Sequence, residues 1–150
     1  MVVCKYISDK MEQINCDEGV VLVKKIPGDG HCLFSALIDQ YYHTEIGSKE
    51  HTTQISQLRR QVVDYIRIHM ETFRITLEET TCKMQHLGHN AETRIEGFLR
   101  RLAETNYWGG QETIAAVAAI FNRRIDVYHE LGSMIQFNRS ASAAGVLRIA

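Results

Sequence analysis

A loop with two glycines joins a β-branched run to an apolar stretch of helical spacing, and this junction constrains the fold more than any other segment. Gly28 and Gly30 allow backbone angles and close approaches that a side chain would block. The apolar residues that follow recur on roughly one helical face: Leu33, Phe34, Ala36, Leu37 and Tyr41. The junction therefore predicts a strand, a tight loop and a helix in immediate succession.

A single cysteine, Cys32, stands at or beside the N-terminus of that predicted helix. Unpaired N–H groups and the helix dipole favour a thiolate at such a position, and the same amides can hold an oxyanion. The pattern therefore favours a nucleophilic cysteine. A buried structural cysteine beside an ordinary turn is the alternative for the same residues. A phosphate-binding loop is disfavoured because the Gly-Lys-Ser/Thr ending is absent.

Composition indicates one globular domain without a nucleic-acid or membrane role. The chain has 150 residues, 45% of them hydrophobic and 23% charged, enough for a single core. A net charge of −1 argues against binding by neutralisation of many phosphates. No apolar run approaches the roughly 20 residues that span a bilayer. Three arginine pairs are expected on solvated helix edges: Arg59-Arg60, Arg100-Arg101 and Arg123-Arg124.

The four cysteines, Cys4, Cys16, Cys32 and Cys82, form no Cys-x-x-Cys pair and no zinc-ligand spacing with histidine. A disulfide framework is not expected from so few cysteines in a chain of this size. We therefore expect reduced thiols, a cytoplasmic or nuclear location, and neither a metal nor another cofactor.

Periodicity predicts helices in the middle of the chain and strands towards both ends. Residues 1–19 suggest a short helix or an irregular lead-in, and residues 20–23 a strand. Residues 42–53 suggest a loop, with Thr52 or Thr53 as the cap of the next helix. The expected helices cover residues 55–70, 71–84, 95–102 and 111–121, and the expected late strands cover residues 125–128, 134–137 and 146–149. A mobile loop is expected at residues 138–145. This order indicates an α+β fold with a small sheet and helices packed around it.

Three blocks, in the same order, resemble the ovarian-tumour (OTU) family of cysteine proteases. The first is Asp29-Gly30-His31-Cys32-Leu33-Phe34-Ser35-Ala36; the second runs from Tyr107-Trp108-Gly109-Gly110 through residue 118; the third is Ile125-Asp126-Val127-Tyr128. The resemblance implies the papain-like α+β fold of that family. It also implies a single OTU-like domain over residues 1–150 that is truncated at its C-terminal end.

The resemblance implies a peptidase that hydrolyses isopeptide bonds of ubiquitin or a ubiquitin-like modifier through the Cys32 thiolate. Asp29 and the backbone of residues 30–32 would then form the oxyanion pocket, and capping of the helix by Asp29 is compatible with that role. Trp108 is expected to be structural, one of an aromatic pair packed under a tight turn. Acidic residues at Glu45, Glu50 and Glu112 are candidate contacts for the arginine-rich tail of ubiquitin.

The general base is not found in the chain. In the family a histidine follows a late strand, but here no histidine follows His129, which itself lies too early. His31 neighbours Cys32 in sequence, so the two side chains are expected to point in different directions. The other histidines lie on the predicted middle loops and helices: His43, His51, His69, His86 and His89.

Two explanations for the missing histidine stay open: an N-terminal piece of a longer protease, or a chain that has lost its base. The second predicts a pseudo-protease that binds ubiquitin or another partner without cutting it. A protease that processes a viral or mobile-element polyprotein is a further alternative. The sequence predicts neither linkage preference nor oligomeric state.

Overall fold

A computed structural model describes residues 2–4, 13–16, 19–22, 24–104, 107–128, 133–139 and 145–149, with side chains from residue 24 onward. Four short strands come first: β1 (Val2–Cys4), β2 (Gln13–Cys16), β3 (Gly19–Leu22) and β4 (Lys24–Ile26). Helices α1 (Cys32–Tyr42), α2 (Lys49–Ile68), α3 (Met70–Thr81), a 3-10 turn (Gln85–Leu87), α4 (Ala91–Glu104) and α5 (Gln111–Phe121) follow. The last strands are β5 (Arg124–Tyr128), β6 (Met134–Phe137) and β7 (Val146–Ile149).

Five of these strands form one sheet in the order β4-β1-β7-β5-β6. All its neighbours are parallel except β6, which runs antiparallel to β5. The central strand is β7, which pairs Ile149 with Val2 on one side and Leu147 with Ile125 on the other. β2 and β3 form a separate antiparallel pair. The sheet thus joins residues from both ends of the sequence.

Helix α1 packs on the sheet against β1, β4 and β7, and α2 packs on α1, α4 and α5. The side chains between these layers are almost fully buried, among them Leu37, Leu58, Val62, Leu99 and Val117. Burial of such side chains stabilises the fold by about 1.5–3 kcal/mol each. The first turn of α1 is therefore anchored on a rigid core, and the predicted α+β fold is confirmed.

The helices after residue 54 and the last three strands lie where periodicity predicts them, and α5, β6 and β7 agree to the residue or nearly so. The N-terminal prediction is wrong in its described parts, because residues 2–4 and 13–16 are strands rather than a helix or an irregular lead-in. The strand before the glycine loop is β4, because residues 19–22 pair with β2 instead. Of the loop predicted at 138–145, residues 140–144 lie outside the described part.

The loop predicted over residues 42–53 is shorter than expected, because α2 begins at Lys49. Its cap is Ser48, whose Oγ accepts a hydrogen bond from the His51 N–H at 3.1 Å. The predicted caps, Thr52 and Thr53, lie inside the helix and donate to backbone carbonyls one turn back. Within the ranges given above, no helix is both long enough and apolar enough to cross a bilayer.

Candidate active site

The predicted nucleophile opens α1 directly after a turn of fixed geometry. Gly30 has φ +85°, a left-handed conformation that favours glycine, and His31 is the N-cap residue of the helix that Cys32 begins. Asp29 Oδ1 accepts a hydrogen bond from the His31 N–H at 2.9 Å. The Ser35 N–H donates to the His31 carbonyl at 2.8 Å and closes the first helical turn. This contact holds the turn but does not cap the helix, because a cap would accept from the N–H of Leu33 or Phe34 and His31 makes no side-chain cap hydrogen bond. The supporting role of Asp29 stays a prediction.

Cys32 is buried, with 3% of its surface exposed, and its sulfur is disulfide-bonded. Its partner is not Cys82, which is a free, exposed thiol. The expectation of reduced thiols is therefore wrong for Cys32 in this structure. Because a disulfide sulfur does not ionise, a Cys32 thiolate exists only after reduction.

Arg59 and Arg60 were both expected in solvent. Arg60 is exposed, but Arg59 lies in the core and is only 2% exposed. Arg59 Nη1 donates to the carbonyls of Leu102 and Tyr107, both at 2.9 Å. Arg59 Nη2 donates to the Gly30 carbonyl at 2.9 Å and to His31 Nδ1 at 3.1 Å. The expectation fails for Arg59 because loop carbonyls and a ring nitrogen replace the water that would solvate its guanidinium.

Burial and charge perturb two groups beside Cys32. Burial lowers the pKa of Arg59 to about 10, and the negative charge of Asp29 opposes that shift. Burial is also the main cause that lowers the pKa of His31, followed by the positive charge of Arg59, with Asp29 again opposing. At neutral pH a charged Arg59, on α2, thus contacts a neutral His31 on the loop.

One turn beyond Cys32, a buried polar network ties α1 to α2. Ser35 Oγ lies 2.7 Å from His51 Nε2, and Thr44 Oγ1 lies 3.2 Å from His51 Nδ1. Thr44 Oγ1 in turn donates to Gln54 Oε1 at 2.7 Å. His51 is 1% exposed, so both of its ring nitrogens are satisfied inside the protein.

Of the six histidines that the structure describes, His51 is buried, His31 is half-buried and four are exposed, and one of the exposed rings, His69, contacts the Tyr65 carbonyl at 2.9 Å. His31 Nδ1 accepts from Arg59, and His51 contacts Ser35 and Thr44. The exposed ones are His43, His69, His86 and His89. His129 lies outside the described residues. The absence of an assigned general base therefore stays a prediction.

The second sequence block forms the turn before α5. Tyr107 is half-buried, with its ring 5.7 Å from that of Phe98, whereas Trp108 is 50% exposed. The expectation that both aromatic rings pack under the turn is wrong for Trp108. A Cβ on Gly109 would lie 2.6 Å from Thr113 Oγ1, so this position has no room for a side chain.

Glu112 stabilises the start of α5 rather than facing solvent. It is 2% exposed, and its Oε1 accepts a hydrogen bond from the Gly110 N–H at 2.8 Å. An acidic side chain in the first turn also complements the helix dipole. The expectation that Glu112 contacts a basic peptide tail is therefore wrong, while Glu45 and Glu50 are exposed.

A cavity of about 300 Å³ lies between α2, α3, α5 and β6, away from the loop that carries Cys32. Its lining includes Tyr65, His69, Phe73 and Gln111. Among the described residues, no group of three or more His, Cys, Asp or Glu side chains is arranged to hold a metal ion.

Sequence reasoning missed Arg59, Ser35 and His51 as parts of the site. A signal for Arg59 exists in the apolar stripe of α2, because Arg59 occupies the same helical face as Ile55, Val62 and Ile66, all buried. A polar residue on such a stripe indicates a buried hydrogen-bonding group. No local pattern indicates that Ser35 and His51 meet, since they lie 16 residues apart on different helices.

A cysteine that begins a core helix after a glycine turn, in an α+β fold, defines the general architecture of a papain-like cysteine peptidase. The family model described as OTU-like cysteine protease matches residues 27–144. The chain belongs to this family.

Individual relatives agree with that assignment. The chain is 30% identical over 138 residues to the OTU domain-containing protein 2 of Saccharomyces cerevisiae, a match covering 82% of this chain and 42% of that protein. It is 27% identical over 120 residues to the human deubiquitinase OTUD6B, covering 80% and 38%. The chain thus spans about two fifths of the length of these relatives.

A solved structure supports the fold. The OTU domain of OTUD1 superposes with a TM-score of 0.51 at 17% identity, over 81% of this chain and 70% of that one. At this identity the likeness concerns the fold alone.

Proposed function

We propose that this chain is the Cys32-bearing part of a deubiquitinase that hydrolyses isopeptide bonds to ubiquitin or a ubiquitin-like modifier. The observation that carries the proposal is the position of Cys32 as the first residue of α1, after a turn held by Asp29. Family membership supports the peptidase class, and the name deubiquitinase that a relative bears supports the substrate class.

The chemistry begins when a dithiol reduces the Cys32 disulfide: Cys32 and its partner become thiols, and the dithiol becomes a disulfide. The Cys32 thiol loses its proton, and the thiolate attacks the isopeptide carbonyl; a C–S bond forms, the C–N bond breaks, and the lysine leaves as an amine that takes up a proton. Water hydrolyses the resulting thioester, which releases the modifier's C-terminal carboxylate and restores the thiol. Asp29 keeps the turn in place by holding the His31 N–H, so the amides at the start of α1 face the developing oxyanion.

The test uses the full natural protein, reduced, with a ubiquitin probe that carries a C-terminal electrophile. We expect a covalent adduct that Cys32→Ser abolishes and Cys82→Ser leaves unchanged, because Cys82 is exposed but not at a helix start. Without reductant, we expect the adduct to fall at least about tenfold, since the disulfide blocks the sulfur.

No Cys32-dependent adduct from the reduced full-length protein would contradict the proposal. Saturable binding of ubiquitin without an adduct would instead support the pseudo-protease alternative. Cleavage of a polyprotein precursor, with no reaction towards ubiquitin, would support the third hypothesis.

A further inference from the structure

The guanidinium of Arg59 contacts the chain on both sides of Cys32. It donates to the Gly30 carbonyl and to His31 Nδ1, which precede the cysteine. Its carbon Cζ also lies 4.3 Å from the centroid of the Phe34 ring, which follows the cysteine. The side chain of Arg59, on α2, therefore contacts residues on both sides of Cys32 at the start of α1.

The same guanidinium links this turn to two other segments. Its Nη1 donates to the Leu102 carbonyl, in the last turn of α4, and to the Tyr107 carbonyl, in the turn before α5. The glycine loop, the end of α4 and the turn before α5 are thus all hydrogen-bonded to one planar guanidinium, whose donors have fixed directions. A shift of any of these segments would break at least one hydrogen bond.

The peptide between Gly30 and His31 is held at both ends. Arg59 Nη2 binds its carbonyl oxygen, and Asp29 Oδ1 binds its N–H. Because a peptide unit is planar, two opposed hydrogen bonds fix its orientation. The following peptide, which carries the Cys32 N–H, is joined to it through His31, and its own carbonyl accepts a hydrogen bond from the Ser35 N–H at 2.8 Å.

The hydrogen-bond partners of Arg59 described by the structure are all uncharged: three backbone carbonyls and one imidazole nitrogen. Its Nε is buried without a hydrogen-bond partner. Burying a cation without a contacting carboxylate is costly. A cation placed in this way is available to stabilise an anion that forms nearby.

We propose that Arg59 is a positioning residue of the Cys32 site, fixing the Gly30–His31 peptide and favouring the ionised sulfur of reduced Cys32 through its buried charge. This inference rests on the proposed function, in which Cys32 acts as a thiolate.

The other charged and titratable groups around α1 are placed differently. Asp29 and His31 lie on the loop, and His51 faces Ser35 from α2. From β4, Lys24 forms an ion pair with Asp39 in the C-terminal half of α1. The backbone of Arg148 on β7 bonds to Gln40, also in that half. Arg59 is a permanent cation that contacts residues on both sides of Cys32.

The test measures the ionisation of Cys32 in the reduced full-length protein. Thiolate absorbance at 240 nm is recorded against pH for each protein and for the same protein carrying Cys32→Ser, so that the difference isolates Cys32. We expect Arg59→Met to raise the midpoint by about one pH unit. Arg60→Met removes the same charge from the exposed neighbouring position, and we expect its midpoint to stay within about 0.3 unit of wild type. An unchanged midpoint in Arg59→Met, or an equal shift in Arg60→Met, would overturn the proposal.

If Arg59→Met does not fold, Arg59→Lys tests the positioning role instead. Lysine keeps the charge but cannot bind four acceptors in a plane. We expect a near wild-type midpoint together with amide hydrogen exchange at residues 28–34 at least about threefold faster than in Arg60→Lys. Exchange equal to that of Arg60→Lys would contradict the positioning role.

These measurements need no ubiquitin, so they separate the two proposals. A shifted midpoint without a ubiquitin-probe adduct supports the role of Arg59 in Cys32 ionisation and contradicts the substrate. An adduct together with an unshifted midpoint supports the ubiquitin substrate and contradicts the role of Arg59 in Cys32 ionisation.

Discussion

Individual buried polar residues hold the start of α1, and their partners can be tested one at a time. Ser35 is 5% exposed, and its Oγ lies 2.7 Å from His51 Nε2. Ser35→Ala leaves that ring nitrogen buried and unsatisfied, at an expected cost of about 1–3 kcal/mol. Urea denaturation measures the change in unfolding free energy. Ser56→Ala, at an exposed serine on α2, is the control and should change it by less than about 0.5 kcal/mol. Equal effects of the two variants would contradict a stabilising Ser35–His51 contact.

His31 makes stability depend on pH in a definite direction. Burial, and then Arg59, lower the pKa of folded His31 below 6.5, so the unfolded chain binds a proton first as pH falls. The contribution of neutral His31 to the free energy of unfolding is therefore fully present above pH 6.5 and is lost as the pH falls through the pKa of folded His31. We expect the unfolding free energy to rise from pH 5.5 to 7.5, and to rise less steeply in His31→Gln.

Glutamine is the suitable replacement because its carbonyl can still accept from Arg59. His89→Gln, at an exposed position, should keep the wild-type slope. The assignment to His31 would be wrong if both variants showed the same pH dependence as the parent.

At this scale the sequence predicted the position of Cys32 and the glycine turn but not the surroundings of the sulfur. A helix start is local and readable from spacing, whereas the buried Arg59, the disulfide and the Ser35–His51 contact depend on tertiary packing. Arginine was expected in solvent on the usual ground that its charge is costly to bury, and here four neutral acceptors outweigh that tendency.

The start of α5 depends on the absence of a side chain at Gly109. A Cβ on Gly109 would meet Thr113 side-chain atoms at 2.6–2.8 Å. Gly109→Ala should therefore destabilise the protein by about 1–3 kcal/mol through overpacking. Thermal unfolding followed by circular dichroism measures this loss.

A double-mutant cycle identifies the cause. Thr113→Ala removes Oγ1 and Cγ2, two of the three atoms that a Cβ on residue 109 would strike, and leaves the residue 113 Cβ at 2.8 Å, so the cost of the alanine should fall but not vanish in that background. Additive effects of the two substitutions would contradict contact with Thr113 Oγ1 and Cγ2 as the main source of the cost.

The elements themselves follow closely from local patterns in the second half of the chain. The short, mainly apolar runs at residues 134–137 and 146–149 predict β6 and β7 with the observed bounds. The strands β1 and β2 were not predicted, because they form strands only through pairing with β4, β7 and β3, residues that local patterns do not connect to them.

For the whole molecule, the central strand should govern cooperativity. Leu147 on β7 is 6% exposed, and Leu147→Ala should cost about 2–4 kcal/mol. Met134 lies on the edge strand β6 and is 38% exposed, so Met134→Ala should cost less than about 1 kcal/mol. Urea unfolding is followed by helical circular dichroism and by fluorescence of Trp108, the single tryptophan. The transitions should coincide for both variants. A smaller loss for Leu147→Ala, or separated transitions, would contradict a single cooperative core.

The position of β7 also affects how the protein is made. β4 with β1 and β5 with β6 are translated before β7, and each pair has an open edge that only β7 covers. While residues 146–149 are still inside the ribosome, the β1–β4 pair is already outside it, and the β1 edge that β7 later covers is an unpaired edge of the kind that recruits strands from other chains. Codon choice and chaperone access over this interval should therefore influence the soluble yield more than equivalent changes earlier in the message.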